Sequence, residues 1–387
     1  MVTRHFDIVI VGAGIVGAAL AAALRNSGLN LALIEPHPPH EPTAKWDTRI
    51  YAISPGSVAL LQHVNAWQRI DSSRLTPVHA MQVHGDGNAR LVLDAIQSGV
   101  AQLAWIAEAG HIQHALWQTL VEQPNLTIFC PGQGRSLHWS AQQARLELDD
   151  DQCLSADLVV AADGRASWVR EQAGIIARRD DYHQSGVVAN FSCERPHRHI
   201  ARQWFRDDGI LAWLPLSDRA ISMVWSTATE HANCLLAYPP EQLAQQVATA
   251  GQHALGKLQA LGQAAAFPLS LLRVNPIVRP GLALIGDAAH GVHPLSGQGV
   301  NLGLRDVSEL AAVLLGRQSA RCGDLPLLER YARARRADIL TTQSVTDGLY
   351  HLFHHQHPLL ARLRNIGLNT VARLDPVKSW LVQQSLI

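Results

Sequence analysis

The first 35 residues constrain this chain more than any other stretch. "FDIVIV" (6–11) reads as a short, buried parallel strand. "AALAAALRNSG" reads as a helix ending near Gly28, and "NLALIE" as a second strand ending on Glu35. Between the first strand and the helix lies Gly12-Ala13-Gly14-Ile15-Val16-Gly17. A GxGxxG turn inside a strand–helix–strand unit, with an acid about 20 residues on, is the pattern of a dinucleotide site. Gly12 makes the turn, Gly14 lets a pyrophosphate approach the backbone, and Gly17 lets the helix pack on the strand. The helix N-terminus presents unpaired N–H groups and a partial positive charge to the phosphates. Glu35 can accept hydrogen bonds from an adenosine ribose and would repel a 2′-phosphate, which argues against a resident NADP. The run is apolar enough to imitate a signal peptide. However, Asp7 opens it and glycines interrupt it, so neither export nor a membrane span is expected.

Two later stretches repeat the logic. "ADLVVAADGRASWVRE" (156–171) runs from a strand into Asp163-Gly164 and then a helix. "GLALIGDAAHGVHPLSGQGVNLGLRD" (281–306) runs from a strand at 281–285 into Gly286-Asp287, a glycine loop, and a helix from about residue 299. Either one alone could be a strand-to-helix corner capped by Asp. Three such corners in one chain suit one long ligand, FAD. Its pyrophosphate would meet the first turn and its ribityl hydroxyls Asp287. Its ring edge would meet Gly297-Gln298-Gly299-Val300-Asn301, where N–H groups at a helix start can face the negative charge of reduced flavin. Pro294 can stiffen the loop on the other side of the ring. His290 either caps and packs or tunes protonation of flavin or substrate.

The middle of the chain differs in character. "HAMQVHG", "GVVANFSC", "RQWFRDDGILAWLPL" and "AISMVWST" are short strand-like pieces separated by turn signals such as Asp207-Asp208-Gly209. This predicts an α/β chain in which a mostly antiparallel sheet is inserted into a Rossmann-like FAD-binding domain. The FAD-binding domain is expected over 1–72, 103–177 and 268–339. The substrate domain takes 73–102 and 178–267, and 340–387 forms a C-terminal helical region. Trp204, Trp213 and Trp225 fall on the inserted sheet. Core packing is the plain reading of each, and lining of a substrate pocket the functional one.

With 387 residues, 47% of them apolar, the chain can bury a core of this size. Lys plus Arg and Asp plus Glu are 32 each, so no electrostatic nucleic-acid partner is expected. Five cysteines without a CxxC fit free thiols in a reducing, cytoplasmic setting. His351, His354 and His355 are helically spaced, but no HExxH accompanies them, and no metal is expected. Arg330, Arg333, Arg335 and Arg336 read first as a solvated helix face, and second as a contact for a partner enzyme or anionic lipid.

The GAGIVG turn with Glu35, "DGRAS" and "GDAAHGVHPLSGQGVNLGLRD" resemble the single-component flavin aromatic hydroxylases of the p-hydroxybenzoate hydroxylase fold. Within them, "RIYAISPGSVALL" (49–61), "ARQWF…GILAWLPLSD" (201–218) and "HPLSGQGVNLGLRD" (293–306) are similar to the ubiquinone-biosynthesis hydroxylases. The resemblance spans nearly the whole chain. It implies that Arg49 touches the pyrophosphate or ribityl region, and that Asp163 and Gly164 belong to a motif tied to the pyrophosphate and to transient NAD(P)H contact. It also matches Gly286-Asp287 to the ribityl site and Pro294 to Asn301 to the flavin loop. A further polar FAD contact is expected near the start of the helix at 108–120, but "AEAGHIQHALW" does not fix it, and Glu108 is left unassigned. The implied chemistry is reduction of FAD by NAD(P)H, addition of O2 at flavin C4a, and transfer of one oxygen from the hydroperoxide to an electron-rich phenol. The implied substrate is a prenylated phenol, reached by a chain without a membrane span. A quinone-biosynthesis complex and peripheral membrane contact are the implied partners. The alternatives are the same chemistry on a small aromatic acid or quinolone-like ring, or a flavin-binding subunit without turnover.

Overall fold

A computed structural model describes residues 3–85, 89–140, 143–217, 219–293 and 297–354. Among them, three sheets organise the chain. The first runs in the order β18 (Val278–Arg279), β19 (Leu282–Leu284), β11 (Cys153–Ala161), β1 (Thr3–Val11), β2 (Leu31–Ile34) and β8 (Leu126–Phe129). β10 (Ala144–Leu148) pairs with β11, and β9 (Gly134–Trp139) with β10. Its central strands β19, β11, β1, β2 and β8 are mutually parallel. β1 and β11 are buried along most of their length, because helices cover one face of a parallel sheet and further chain covers the other. Here α1 (Ile15–Ala23), α3 (Ala109–Val121) and α7 (Gly299–Leu315) share one apolar cluster with β1, β2 and β11.

The second sheet holds the inserted strands. It runs β20 (His290–Gly291), β17 (Ala265–Val274), β12 (Ala177–Cys193), β15 (Ala220–Ala228), β14 (Gly209–Pro215), β13 (Ile200–Arg206), β5 (Ala80–His84) and β6 (Arg90–Asp94), with β16 (Leu258–Ala260) also on β12. Most of its pairs are antiparallel, with β13–β5 parallel. A third sheet, β3 (Ile50–Ile53), β7 (Ala104–Glu108) and β4 (Thr76–Val78), links the first two. The helices α5 (Thr229–Ala237) and α6 (Pro240–Ala250) cover one face of the second sheet. Two further helices pack into the two apolar clusters on opposite faces of the first sheet, one in each. These are α2 (Pro55–His63), capped by Ser54, and α4 (Trp168–Gln172), capped by Ser167.

The strands expected at 6–11 and over "NLALIE" are β1 and β2, and the helix expected from about residue 299 is α7, whereas the first helix, expected over "AALAAALRNSG" to near Gly28, spans Ile15–Ala23. The predicted C-terminal helical region begins inside α8 (Leu325–His354), while residues 355–387, including His355, lie outside the described residues. Pro294 also lies outside them.

Candidate FAD and substrate site

The three predicted corners converge at the carboxyl ends of β1, β11 and β19, where open α/β sheets bind their ligands. Backbone bonds join them: Ala162 N donates to Val11 O at 2.8 Å and Ile285 N to Ala161 O at 3.0 Å. Gly12 has φ +100°, and a Cβ there would meet Ala162 O at 2.5 Å. At Gly17 a Cβ would meet Gly12 O at 2.0 Å, so only glycine lets α1 sit this close. Gly14 is different, because a Cβ there would meet nothing within 4 Å and would project into open space. Gly14 is also the N-cap of α1 and provides no side-chain cap, so the helix start offers its N–H groups outward. Glu35 closes the turn by accepting from Ala13 N at 2.6 Å.

The acids differ in setting. Asp287 is exposed between buried neighbours and has no hydrogen-bond partner among the described residues. It and the exposed Arg49 both act on Tyr51. Burial pushes that phenol above its ordinary range, Arg49 pulls it back, and Asp287 and Asp47 add to the rise. Asp163 accepts from Val169 N at 3.0 Å through one oxygen, while Oδ1 is buried without a partner. Burial raises its pKa against the pull of Ser167 and nearby backbone N–H groups. Gly164 beside it takes φ +83° over open space. A carboxylate oxygen lacking a partner, an open cradle at Gly14 and an exposed acid at Asp287 fit a ligand rich in hydroxyls and phosphates.

The third corner is held from behind. Gly286, at φ +58°, packs on Val16, and its N–H donates to Asp306 Oδ2 at 2.8 Å. His290, 2% exposed, shares that same oxygen at 2.6 Å, and Arg335 Nε donates to Asp306 Oδ1 at 2.7 Å. Burial alone would raise the Asp306 carboxyl, but His290 and Arg335 hold it below the usual range. His290 is therefore held through Nε2 in a His–Asp–Arg network behind the loop. Of the flavin-loop residues, Gly297 takes φ +62° and Gln298 caps α7 without a side-chain bond. Gly299, Val300 and Asn301 form the first turn of α7, with its N–H groups. The side chain of Asn301 is consumed elsewhere. It accepts from Ser54 N at 3.0 Å and donates to Ala52 O at 2.8 Å, clamping β3 to α7.

Several contributors escape sequence reading. Glu108, 1% exposed, accepts from Asp47 N and from Arg74, so it pins the chain before β3. The helix residue that reaches the first turn is Gln113, whose Nε2 donates to Ala13 O at 3.2 Å. A polar residue on an otherwise apolar helix face was its available signal. Arg170 donates to Ala288 O and Arg165 O, tying the second corner to the third.

The three tryptophans are not brought to this cleft. Trp204, Trp213 and Trp225 are 3%, 1% and 3% exposed and pack with Leu235, Leu243 and Val247 under α5 and α6. The opposite face carries Ala201, Leu214, Met81 and Leu93, which cluster with Ile50 and Ala52 of β3. Ala52 is the neighbour of Gly297, whose Cβ position lies 3.7 Å from it. The side of the sheet that turns toward the flavin loop is thus the one without the tryptophans.

The family described as FAD binding domain matches residues 5–343. The structure of p-nitrophenol 4-monooxygenase PnpA from Pseudomonas putida is similar in fold, with TM-score 0.81 and 16% identity over 100% of this chain and 99% of that one. Fold and site define an FAD-dependent monooxygenase of the p-hydroxybenzoate hydroxylase fold, with O2 and a reduced nicotinamide as co-substrates. The Escherichia coli 3-demethoxyubiquinol 3-hydroxylase is 36% identical over 390 residues, covering 100% of both chains. The Rhodospirillum rubrum ubiquinone hydroxylase UbiL is 32% identical over 383 residues, covering 98% of this chain and 89% of that one. The chain belongs to the ubiquinone-biosynthesis hydroxylase family.

Proposed function

We propose that this chain hydroxylates the aromatic ring of a prenylated phenol intermediate of ubiquinone biosynthesis. The observation that carries the reading is the character of the flavin-side face of the second sheet. Val188, Val224 and Ala212 pair across β12, β15 and β14, and Leu214 lies beside them on the same face. None of these carries charge, and no cation stands among them to hold a carboxylate. An apolar wall beside an FAD site suits a neutral ring with an isoprenoid tail better than a small aromatic acid.

Bound FAD supplies the oxygen-activating chemistry. The chain's own residues bind, orient and exclude water. The Gly12–Gly17 turn and the start of α1 face the pyrophosphate, and Asp287 accepts from ribityl hydroxyls. Arg49 and Asp163 complete the polar rim, and Gln113 is the further polar contact expected on its helix. Gly297 and Gln298 with the first turn of α7, Gly299 to Asn301, would present N–H groups to the pyrimidine edge of the ring. The apolar face opposite keeps the reacting ring dry.

Among the described residues no helix is long and apolar enough to cross a membrane. We place the protein at the membrane surface, where its substrate resides, with α8 as the facing element. Leu340, Val345 and Leu349 are exposed on that helix, and Arg333 and Arg336 precede them. Association with other quinone-synthesis enzymes belongs to the same proposal.

A kinetic series with lengthening tails at fixed ring chemistry tests the substrate. Each buried CH2 contributes about 0.8 kcal/mol, so one isoprene unit outweighs a neutral hydrogen bond. Catalytic efficiency is expected to climb steeply from the bare phenol to the prenylated one, with hydroxylated product identified by mass spectrometry. Equal turnover of bare hydroxybenzoate would replace this reading with a small aromatic acid.

A further inference from the structure

The flavin-side face also carries polar side chains, among them Asn190, Ser222 and Gln203, and Gln203 differs from the other two in its surroundings. Strand register sets Gln203 of β13 opposite Ala212 of β14 and beside Val83 of β5, and pairs Val83 with Leu91 of β6. Ala212 pairs with Val224, and Val224 with Val188. Gln203 therefore sits in a row of side chains that are otherwise all apolar. Its neighbour Trp204 points to the other face, where it stacks on His84 at 5.4 Å.

The row lies at a seam. Val83, Leu91, Phe205 and Ile210 belong to one apolar cluster, and Ala201 and Leu214 to the cluster that includes Ala52. Met81 and Leu93 pack against both. Ala52 adjoins Gly297 of the flavin loop. Gln203 is thus held at the place where the sheet meets that loop.

Gln203 is 5% exposed, and its amide has no hydrogen-bond partner among the described residues. Its polar atoms are not sealed in, unlike the nearby Ser222 Oγ and Asn190 Oδ1, which are closed off without partners. The amide is therefore open to a partner from outside the described residues, a partner that Met or Leu at this position would not need. A packing role alone does not explain glutamine here, whereas a ligand that completes the amide does.

A carboxamide donates through Nε2, accepts through Oε1 and carries no charge. That chemistry matches a hydroxyl on an aromatic ring. We infer that Gln203 binds the ring hydroxyl of the substrate and thereby sets which ring carbon faces the flavin. The inference rests on the phenol reading above and goes further, by assigning the residue that orients the ring.

The test uses the FAD-loaded protein and a matched pair of prenylated rings, one with the hydroxyl and one with hydrogen in its place. Binding is read from the perturbation of the oxidised flavin spectrum without reductant. Coupling is read as hydroxylated product against hydrogen peroxide per NAD(P)H oxidised. The wild type is expected to bind the hydroxylated ring about tenfold more tightly than its deoxy partner, the scale of one hydrogen bond. Gln203→Met and Gln203→Leu each keep an apolar fill. Either is expected to bring that ratio close to one, to leave deoxy binding and FAD content unchanged, and to shift electrons from product to peroxide. A folded, FAD-loaded variant of either kind that keeps the wild-type ratio and coupling overturns the role of Gln203 and leaves the phenol reading standing. A wild type that neither binds nor hydroxylates any prenylated phenol overturns the substrate reading itself.

Discussion

Gly14 and Gly17 lie three residues apart in one turn and are glycine for opposite reasons. Gly17 is required by the folded chain, because a Cβ would meet Gly12 O at 2.0 Å. Gly14 meets nothing, so its bare backbone matters only to what binds there. Gly14→Val is therefore expected to leave the thermal midpoint of the FAD-free protein near wild type while its flavin content falls sharply. Gly17→Ala is expected to lower the FAD-free midpoint itself. Equal behaviour of the two variants would refute this division. Asp287→Ala removes an exposed acceptor and is expected to weaken FAD by about 1–3 kcal/mol, measured as a dissociation constant. The glycine turn and Asp287 were legible in the sequence because backbone geometry and an acid after a strand are local signals. Gln203 was not. One glutamine between "AR" and "WF" acquires meaning only when strand register shows which face it shares and with whom.

Pairs between elements were the hardest to foresee. His290 and Asp306 are 16 residues apart, and Arg335 is 29 further on, yet the three close into one buried network joining the third corner, α7 and α8. The sequence displays each residue but not their meeting. Asp306→Ala would strip the shared acceptor from His290 Nε2, Gly286 N and Arg335 Nε at once, leaving the buried Arg335 with Asp338 as its remaining acid partner. A loss of about 3–5 kcal/mol is expected, read by denaturant unfolding of the FAD-free chain.

His293 makes a second prediction at this scale. Its ring lies 4.9 Å from Tyr182 of β12 and 5.4 Å from Tyr350 of α8. Burial lowers its pKa from 6.5 to about 4, against the upward pull of Asp347. The unfolded chain therefore binds the proton more readily than the folded one. This contribution to stability is whole above about pH 6.5 and is lost as pH falls toward 4. His293→Phe is expected to flatten the stability profile across that window while other groups keep their slopes. An unchanged profile would show that the ring is not buried neutral. The tryptophans belong to the same lesson: their strands were legible, whereas the face each indole takes depends on α5 and α6, which follow in the sequence.

At the scale of the whole molecule, the proposed FAD site draws on segments near residues 12–17, 163–164, 286–287 and 297–301, so bound FAD would bridge parts of the chain that are far apart. Anything that binds only the folded state stabilises it in proportion to ligand excess, by about 2.7 kcal/mol at a hundredfold excess over Kd. Removing the flavin is expected to lower the melting temperature, and added FAD to restore it. FMN, which lacks the adenosine half proposed to lie on the first turn, is expected to restore little. Full rescue by FMN would contradict the placement of that half.

The alternation of the second sheet has an evolutionary consequence. One face anchors three indoles beneath two helices, and the other turns toward the flavin loop, where the reacting ring is proposed to lie. Because side chains on a strand point alternately, a lineage can exchange Ala212, Leu214 or Val224 without disturbing Trp213 or Trp225 one position away. Selection for a new ring and selection for a durable fold then act on different letters of the same strand. Such a scaffold can diversify its substrates by single substitutions and keep its foundation intact.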